Sequence, residues 1–253
     1  MFFDTHAHYD SYKFNSDRME ELADMPARSV SLIVNPGCDE QSSKEAIALA
    51  DAFPFVYAAV GWHPSDLIES GWNDGSIDRL RELAKHPKVV AIGEIGLDYY
   101  WDKTYIELQH KALRAQMDLA KELGLPVIIH DREAHGDILE IAKEYDIPGV
   151  FHCYSGSAEM AKELLKRGWY LGFDGPVTYK NNRKQLEVLE VTPMDRILLE
   201  TDSPYLTPEP HRGKRNHSGH LQYVAAKIGE VKGLSMEEVA AITMENGRRL
   251  FRI

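Results

Sequence analysis

The regular alternation of short apolar segments with amphipathic segments constrains the fold of this 253-residue chain more than any other feature. Segments with helical periodicity lie between the apolar runs, as in residues 104–123, where Gly124 would end the helix. Continuous apolar strands that alternate with amphipathic helices are typical of a parallel sheet covered on both faces. The predicted strands are residues 2–5, 31–36, 56–61, 89–93, 126–130, 149–153, 170–173 and 197–201.

Eight strands and at least as many helices in this length predict an α/β fold, a single (β/α)8 TIM barrel that occupies residues 1–253 as one domain. An open, doubly wound parallel sheet is the structural alternative. That fold often carries Gly-x-Gly-x-x-Gly after its first strand, and this chain has no such motif there. We also expect residues 157–167 to form a helix that ends at Gly168, and Ser235 with Glu238 to cap the last helix.

Composition excludes several classes of protein. The net charge of −11 argues against a protein that coats nucleic acid, although a local basic loop and bound metal ions would still allow a nucleic-acid enzyme. No stretch approaches the roughly 20 apolar residues that span a bilayer, and no signal peptide is evident, so we expect a cytoplasmic protein without membrane partners. Two cysteines, Cys38 and Cys153, fit a reducing compartment without disulfides, and we expect Cys153 to lie in the core.

Residues with metal-binding side chains stand at the ends of the predicted strands. The i, i+2 spacing of the first two histidines directs both imidazoles to the same side of an extended segment. A single histidine at a strand end usually caps a backbone group, but coincidence across five strands is a poor explanation. Since the carboxyl ends of the strands in a TIM barrel converge on one face, the joint pattern predicts a metal centre there. These residues are His6, His8, His63, Glu94, His130, His152 and Asp202.

Five motifs of this chain form a recognisable pattern: Asp-Thr-His-Ala-His at 4–8, Gly-Glu-Ile-Gly-Leu-Asp-Tyr at 93–99, Pro-Val-Ile-Ile-His-Asp-Arg at 126–132, His-Cys-Tyr-Ser-Gly at 152–156 and Glu-Thr-Asp-Ser-Pro-Tyr-Leu at 200–206. The chain resembles the TatD family of metal-dependent deoxyribonucleases, within the amidohydrolase-like superfamily, over essentially its whole length. One departure follows Asn216, where this chain has His217 and Ser218 and the family usually has Glu-Pro.

The resemblance implies two divalent metal ions per chain. Its ligand set is His6, His8 and Asp202 for one ion and His130 and His152 for the other, with Glu94 as the bridge. The implied catalytic residues are Asp202, which would accept a proton from the attacking water, and Glu94. Four imidazoles suit Zn, Mn, Co or Ni, whereas the family is usually described as Mg-dependent. We therefore expect a transition metal to bind tightly and Mg or Mn to support turnover.

Substrate contacts are expected on the same rim. In its Gly-x-His-Pro segment, His63 resembles a family substrate contact, with a structural role as the alternative. Arg132 would either meet a phosphate or form a surface salt bridge. The loop after strand eight contains Arg212, Lys214 and Arg215 in a basic cluster, which we expect to contact phosphate rather than to be merely solvated.

Two further groups of residues are candidates on the rim. Lys180, Asn181 and Arg183 follow strand seven and would add to the basic cluster. Tyr99, Tyr100 and Trp101 follow strand four and would either stack on unpaired bases or cover the barrel edge, the role we expect for Trp101.

We predict a metal-dependent hydrolase, and within that class a deoxyribonuclease of the 3'-5' exonuclease type that acts on single-stranded or frayed DNA ends. A deep site in a barrel mouth admits a strand terminus more easily than the interior of a duplex. One alternative is an amidohydrolase-like hydrolase of C–N or ester bonds, including an aminoacyl-tRNA deacylase. The other is a metal-bound interaction protein without activity, although a structural zinc site is usually closed by four ligands, often cysteines.

Overall fold

Eight parallel strands form a barrel in a computed structural model that describes residues 1–101 and 103–253. Each strand pairs with the next in chain order. The Thr5 N–H donates to the Leu199 carbonyl at 3.0 Å, which joins the last strand to the first. The TIM barrel is therefore confirmed, and the doubly wound alternative is wrong. The strands are β1 (Phe2–Asp4), β2 (Val30–Pro36), β3 (Val56–Val60), β4 (Val89–Asp98), β5 (Val127–Arg132), β6 (Gly149–Phe151), β7 (Tyr170–Phe173) and β8 (Ile197–Leu199).

Helices connect the strands and end where the sequence provides caps. Gly124 ends α4 in the left-handed conformation, and the Ser157 side chain accepts the Met160 N–H at the start of α6. Ser235 and Glu238 form the predicted capping box of α9. The helices are α1 (Arg18–Ala23), α2 (Glu40–Ala52), α3 (Ser76–Leu83), α4 (Ile106–Leu123), α5 (His135–Lys143), α6 (Ala158–Lys166), α7 (Arg183–Val191), α8 (Leu221–Lys232) and α9 (Met236–Phe251).

Two apolar layers hold the barrel together. The larger layer packs the outer faces of the strands against the helices. A smaller cluster takes a side chain from each of the eight strands, so it fills the barrel interior, and Leu250 and Phe251 of α9 join it. The strand contributions to this inner cluster include Phe3, Val34, Ala59, Ala91, Ile128, Val150, Tyr170 and Leu198.

Strand β4 differs most from its predicted bounds. The apolar run suggests an end at residue 93, but the strand continues to Asp98 with every residue buried. The predicted end was wrong because the polar residues of this segment are paired inside the barrel mouth rather than exposed in a loop. The residue that the family resemblance marks as the bridge, Glu94, therefore lies within a strand.

Two simpler expectations concern membranes and cysteines. Among the described residues, no helix is long and apolar enough to cross a membrane. Both cysteines are free, but Cys153 is only partly buried, so its placement in the core was wrong. Its N–H donates to the Glu200 carboxylate, which holds the backbone in the left-handed region at a φ of 42°.

Two glycines with open space around them test the helix-end argument. Gly124 has a φ of +65°, whereas Gly136 lies inside α5, and an added Cβ would meet no atom within 4 Å at either position. We expect Gly124→Ala to lower the free energy of unfolding by about 1 kcal/mol because alanine is strained there. Gly136→Ala should raise it by about 0.5 kcal/mol through the unfolded chain. Urea unfolding of both variants checks this, and equal effects of the same sign would contradict it.

Candidate metal centre

The six side chains predicted as metal ligands meet at the end of the barrel where the strands end. They come from the ends of five strands, and the parallel topology brings these strand ends together. His6 and His8 follow β1, Glu94 lies in β4, His130 lies in β5, His152 follows β6 and Asp202 follows β8.

One set of donors faces a single oxygen of Glu94. The Nε2 atoms of His6 and His8 are 3.0 Å apart, and they lie 3.3 and 3.4 Å from Glu94 Oε2. The Asp202 Oδ1 atom is 3.8 Å from His6 Nε2 and 3.6 Å from His8 Nε2. Two imidazole nitrogens and two carboxylate oxygens thus converge on one small space.

A second set of donors faces the other oxygen of the same carboxylate. His130 Nδ1 and His152 Nε2 each lie 2.9 Å from Glu94 Oε1. His63 Nε2 lies 3.7 Å from that oxygen, and its ring centroid is 4.3 Å from that of His130. His63 therefore stands among the candidate ligand atoms, closer to the centre than its predicted role as a substrate contact requires.

The backbone places Glu94 between the two sets. Strand β4 has an irregular register against β5 between Ile92 and Ile95, and such bulges redirect side chains. The Glu94 N–H donates to the Gly37 carbonyl at 2.9 Å. A Cβ at Gly61 would lie 2.7 Å from the carbonyl carbon of Gly93, so only glycine there lets β3 approach this part of β4.

Two carboxylates missed by the sequence analysis contact the outer sides of the imidazoles. Asp98 Oδ2 lies 3.0 Å from His130 Nε2, and Glu200 Oε1 lies 3.4 Å from His152 Nδ1. Such contacts set the tautomer and orientation of a ligating histidine. The signal was present in the sequence for Asp98, because residues 94 and 98 share one face of a strand.

A third missed residue, Asp4, joins the two strands that close the barrel. Its carboxylate accepts the Thr201 N–H at 3.0 Å, the Thr201 hydroxyl at 2.6 Å and the His6 N–H at 3.3 Å. Burial raises the pKa of Asp4 to about 7. Its position at the end of β1 was the available signal.

Burial and mutual contact change the protonation of the centre. Burial alone would raise the pKa of Glu94, but the imidazoles of His152 and His6 hold that pKa well below its usual value, so the carboxylate is ionised. Burial lowers the pKa of His6 well below its usual value and that of His63 to about 3. Burial raises the pKa of Asp202 to about 6. Burial would lower the pKa of His152 too, but contact with the carboxylates of Glu94 and Glu200 raises that pKa well above its usual value. A divalent ion would displace the proton from such an imidazole, because metals bind the neutral form.

The donor set fits divalent metal ions. Within the described part of the chain, three groups of histidines and carboxylates have ligand atoms within 4.8 Å of one another. The groups are His6 with His152 and Asp202, His6 with His8 and Glu94, and His63 with Glu94 and His130. Imidazole-rich sites with carboxylates suit transition metals better than Mg²⁺.

The basic residues predicted to bind substrate occupy different environments. The Arg132 guanidinium carbon lies 3.8 Å from the Tyr100 ring centroid. Arg212 is exposed, with its guanidinium carbon 4.3 Å from the Tyr179 ring centroid, and Lys214 is exposed. Both loop residues are therefore accessible to a ligand.

Arg215 is already engaged within the protein. It donates to Asp17 at 2.7 and 2.5 Å, to Glu21 at 3.3 Å and to the Lys13 carbonyl at 2.9 Å. Its guanidinium carbon also lies 4.6 Å from the Phe14 ring centroid. The structure thus gives Arg215 an anchoring contact with α1 rather than a free guanidinium.

The loop after β7 lines a cavity beside Arg212. Lys180 and Asn181 line this cavity of about 410 Å³ together with Tyr179 and Glu209. Arg183 is exposed at the first position of α7. The structure therefore brings Lys180 and Asn181 next to the basic loop, as expected.

The three aromatic residues after Asp98 do not act alike. Tyr99 is buried, and its hydroxyl contacts His110 at 2.6 Å and Asp137 at 2.7 Å. Trp101 is 70% exposed, so the expectation that it covers the barrel edge was wrong. At the rim, too little protein surrounds the indole for it to pack against the barrel edge.

The two residues that depart from the family pattern have local partners. His217 Nε2 lies 3.1 Å from Arg28 Nη1, and the Ser218 hydroxyl lies 2.9 Å from the Tyr9 hydroxyl. Both contacts face the segment between β1 and β2. This segment of the loop is therefore packed against the protein rather than directed at the imidazoles.

Comparisons with known proteins agree with this centre. Residues 3–252 match the model of the family described as TatD related DNase. The chain is 46% identical over 256 residues to the uncharacterized metal-dependent hydrolase YabD of Bacillus subtilis, covering 100% of both chains. It is 37% identical to the 3'-5' ssDNA/RNA exonuclease TatD of Cronobacter sakazakii, with 98% of this chain and 97% of that protein covered.

Solved structures give the same relationship. The crystal structure of YjjV, a TatD homologue from Escherichia coli, superposes with a TM-score of 0.93 at 32% identity, covering 100% of this chain and 98% of the other. The match to the family model extends over nearly the whole chain, and the barrel and the cluster of histidines and carboxylates accompany it. The chain belongs to the TatD family of metal-dependent hydrolases.

Proposed function

We propose that this protein is a metal-dependent deoxyribonuclease that cleaves phosphodiester bonds from the 3' end of single-stranded or frayed DNA. The observation that supports this proposal is the position of Glu94, whose two oxygens face separate sets of imidazoles. A carboxylate can bridge two ions in this way, and paired ions are common in enzymes that cleave phosphodiesters. The name of the Cronobacter sakazakii relative supports the same activity and direction.

The proposed ligand roles follow the two sets of contacts. His6, His8 and Asp202 would hold one divalent ion, His130 and His152 would hold the second, and Glu94 would bridge them. Bound divalent ions would supply Lewis-acid stabilisation of the charge on the reacting phosphate. Zn, Mn, Ni and Co match the imidazoles, and Mg would support turnover with its preference for oxygen ligands.

Asp202 is the proposed general base. Its carboxylate lies at the edge of the first set of donors, within 4 Å of both His6 and His8. An ionised carboxylate at this position would be placed to accept a proton from the attacking water. Glu94 is held ionised by its imidazoles and serves to position the centre.

The exposed basic residues would bind the nucleic acid. Arg212 and Lys214 lie on the loop that follows β8, where TIM barrels often bind phosphate. Their positive charge is local in a chain of net charge −11, so it would select phosphates near the centre without coating the protein with nucleic acid. Arg132 adds a guanidinium at the end of β5.

The proposal is tested with protein stripped of metal and resupplied with Mg²⁺, Mn²⁺ or Zn²⁺ in turn. Single-stranded DNA labelled at its 5' end should be shortened one nucleotide at a time from the 3' end, and only when metal is present. Absence of cleavage by protein confirmed to hold two ions would contradict the proposal. It would direct the search to esters and amides, such as aminoacyl-tRNA.

Replacing the proposed base should slow turnover without loss of the fold. Asp202→Asn removes the proton acceptor at nearly constant shape, so we expect kcat on DNA to fall roughly 10²–10⁴-fold. Asp195→Asn, just before β8 at the opposite end of that strand, is the matched control. Near-normal turnover in Asp202→Asn with full metal occupancy would exclude Asp202 as the base.

Removing the outer partner of His130 should weaken metal binding. Asp98→Asn abolishes the charged acceptor 3.0 Å from His130 Nε2, and we expect metal affinity to drop about 10- to 100-fold by calorimetry. Asp131→Asn is the matched control on the same rim, because Asp131 contacts His135 at 2.8 Å instead. Equal affinity in the two variants would contradict a positioning role for Asp98.

Two arginines of one loop should respond differently to alanine. Arg215→Ala breaks a partly exposed ion pair with Asp17, so we expect a loss of about 1 kcal/mol in unfolding free energy and little change in the salt dependence of DNA binding. Arg212→Ala should leave stability unchanged and reduce the salt slope by about 1. Thermal melts and salt titrations check this. A reduced salt slope in Arg215→Ala with unchanged stability would contradict the anchoring role and assign Arg215 to substrate binding.

A further inference from the structure

Two neighbouring aromatic side chains stand exposed at the rim of the candidate centre. Tyr100 is 55% exposed and Trp101 is 70% exposed. Their ring centroids are 4.9 Å apart, and the rings are nearly perpendicular at 88°. Large aromatic surface left in water contributes nothing to the folded core, so its presence beside a catalytic site points to a ligand.

A cation is held against both rings. The Arg132 guanidinium carbon lies 3.8 Å from the Tyr100 ring centroid and 5.3 Å from that of Trp101. Among residues 1–101 and 103–253, no carboxylate pairs with this guanidinium within 4.0 Å. Within this described part of the chain its charge is thus shared with aromatic faces, an arrangement that would let the guanidinium bind an anion.

The backbone places Arg132 next to residues of the candidate metal centre. Arg132 follows His130 by two residues in β5, so both side chains leave the same face of the strand. Arg132 also pairs in register with Asp98, the residue that contacts His130. A ligand on the aromatic rings would therefore lie next to a phosphate at the centre.

We propose that Tyr100, Trp101 and Arg132 form a platform on which one unpaired nucleobase stacks while the guanidinium binds an adjacent phosphate. This inference rests on the proposed nuclease function and specifies how that site selects its substrate. Aromatic side chains accept any base as long as its face is free, whereas bases inside a duplex are already stacked. The platform thus selects single-stranded over duplex nucleic acid at a place distinct from the metal ligands.

The kinetic test compares DNA with and without bases on the metal-loaded enzyme. For Trp101→Ala and Tyr100→Ala we expect KM for oligo(dT) to rise roughly 5- to 100-fold, with kcat little changed. Trp101→Phe should keep most of the affinity because it keeps a stacking face. An abasic oligonucleotide of the same length, which keeps the phosphates but has no ring to stack, should show the same KM in Trp101→Ala and Tyr100→Ala as in wild type.

A matched control is available across the barrel. Tyr12 is 73% exposed in the segment after β1, four strands from β5 in the strand order, so Tyr12→Ala removes exposed aromatic surface away from the platform. It should leave KM for oligo(dT) unchanged. An equal rise in KM for Tyr12→Ala and Trp101→Ala would overturn a specific platform.

A binding measurement separates this inference from the nuclease proposal. Tryptophan fluorescence is titrated with phosphorothioate oligo(dT), which resists hydrolysis. Quenching of wild type that shifts to higher oligo(dT) concentration in Tyr100→Ala, which keeps the Trp101 indole as reporter, supports the platform even if wild-type enzyme cleaves no DNA, a result that would overturn only the cleavage step. Metal-dependent cleavage with unchanged KM and quenching in Trp101→Ala would overturn the platform and leave the nuclease intact. Loss of self-association in Trp101→Ala, without any effect on oligo(dT), would instead assign the patch to contact between copies and overturn the inference.

Discussion

The contact on which the rest of the site depends is that of one buried carboxylate with four imidazoles. Glu94 is only 3% exposed, and an isolated ionised carboxylate at that depth would be very unfavourable. His6 and His8 stabilise one oxygen, and His130 and His152 stabilise the other. Because each oxygen has its own set, the same arrangement that makes the buried charge tolerable also divides the centre into two candidate metal positions.

The barrel provides this arrangement through topology rather than through local sequence. The strands that carry these ligands bring them together because parallel strands of a closed barrel all end on one rim. Two local devices then complete the geometry. Gly61 lets β3 approach the irregular part of β4, and Asp4 ties β1 to Thr201 beyond β8. Fold stability and site geometry are therefore coupled at the same residues.

Much of the fold could be predicted because buried parallel strands are visible as apolar runs, and the confirmed strands match these runs within a few residues except at β4. There polar residues are buried in pairs, and hydrophobic pattern carries no information about pairing. The same reason explains why the contact of Asp98 with His130 and the anchoring of Arg215 by Asp17 were not predicted. The exposure of Trp101 could not be predicted either, because a sequence does not show how much protein surrounds a residue at the rim.

The central claim is that Glu94 bridges two ions, and metal stoichiometry tests it most directly. Purified protein is stripped, reloaded with Zn²⁺ or Mn²⁺, and measured by mass spectrometry of the metal and by anomalous diffraction. We expect two ions per wild-type chain on opposite oxygens of Glu94, and loss of both positions, or strong weakening of both, in Glu94→Gln. A single ion in wild type, or two ions that persist unchanged in Glu94→Gln, would contradict the account.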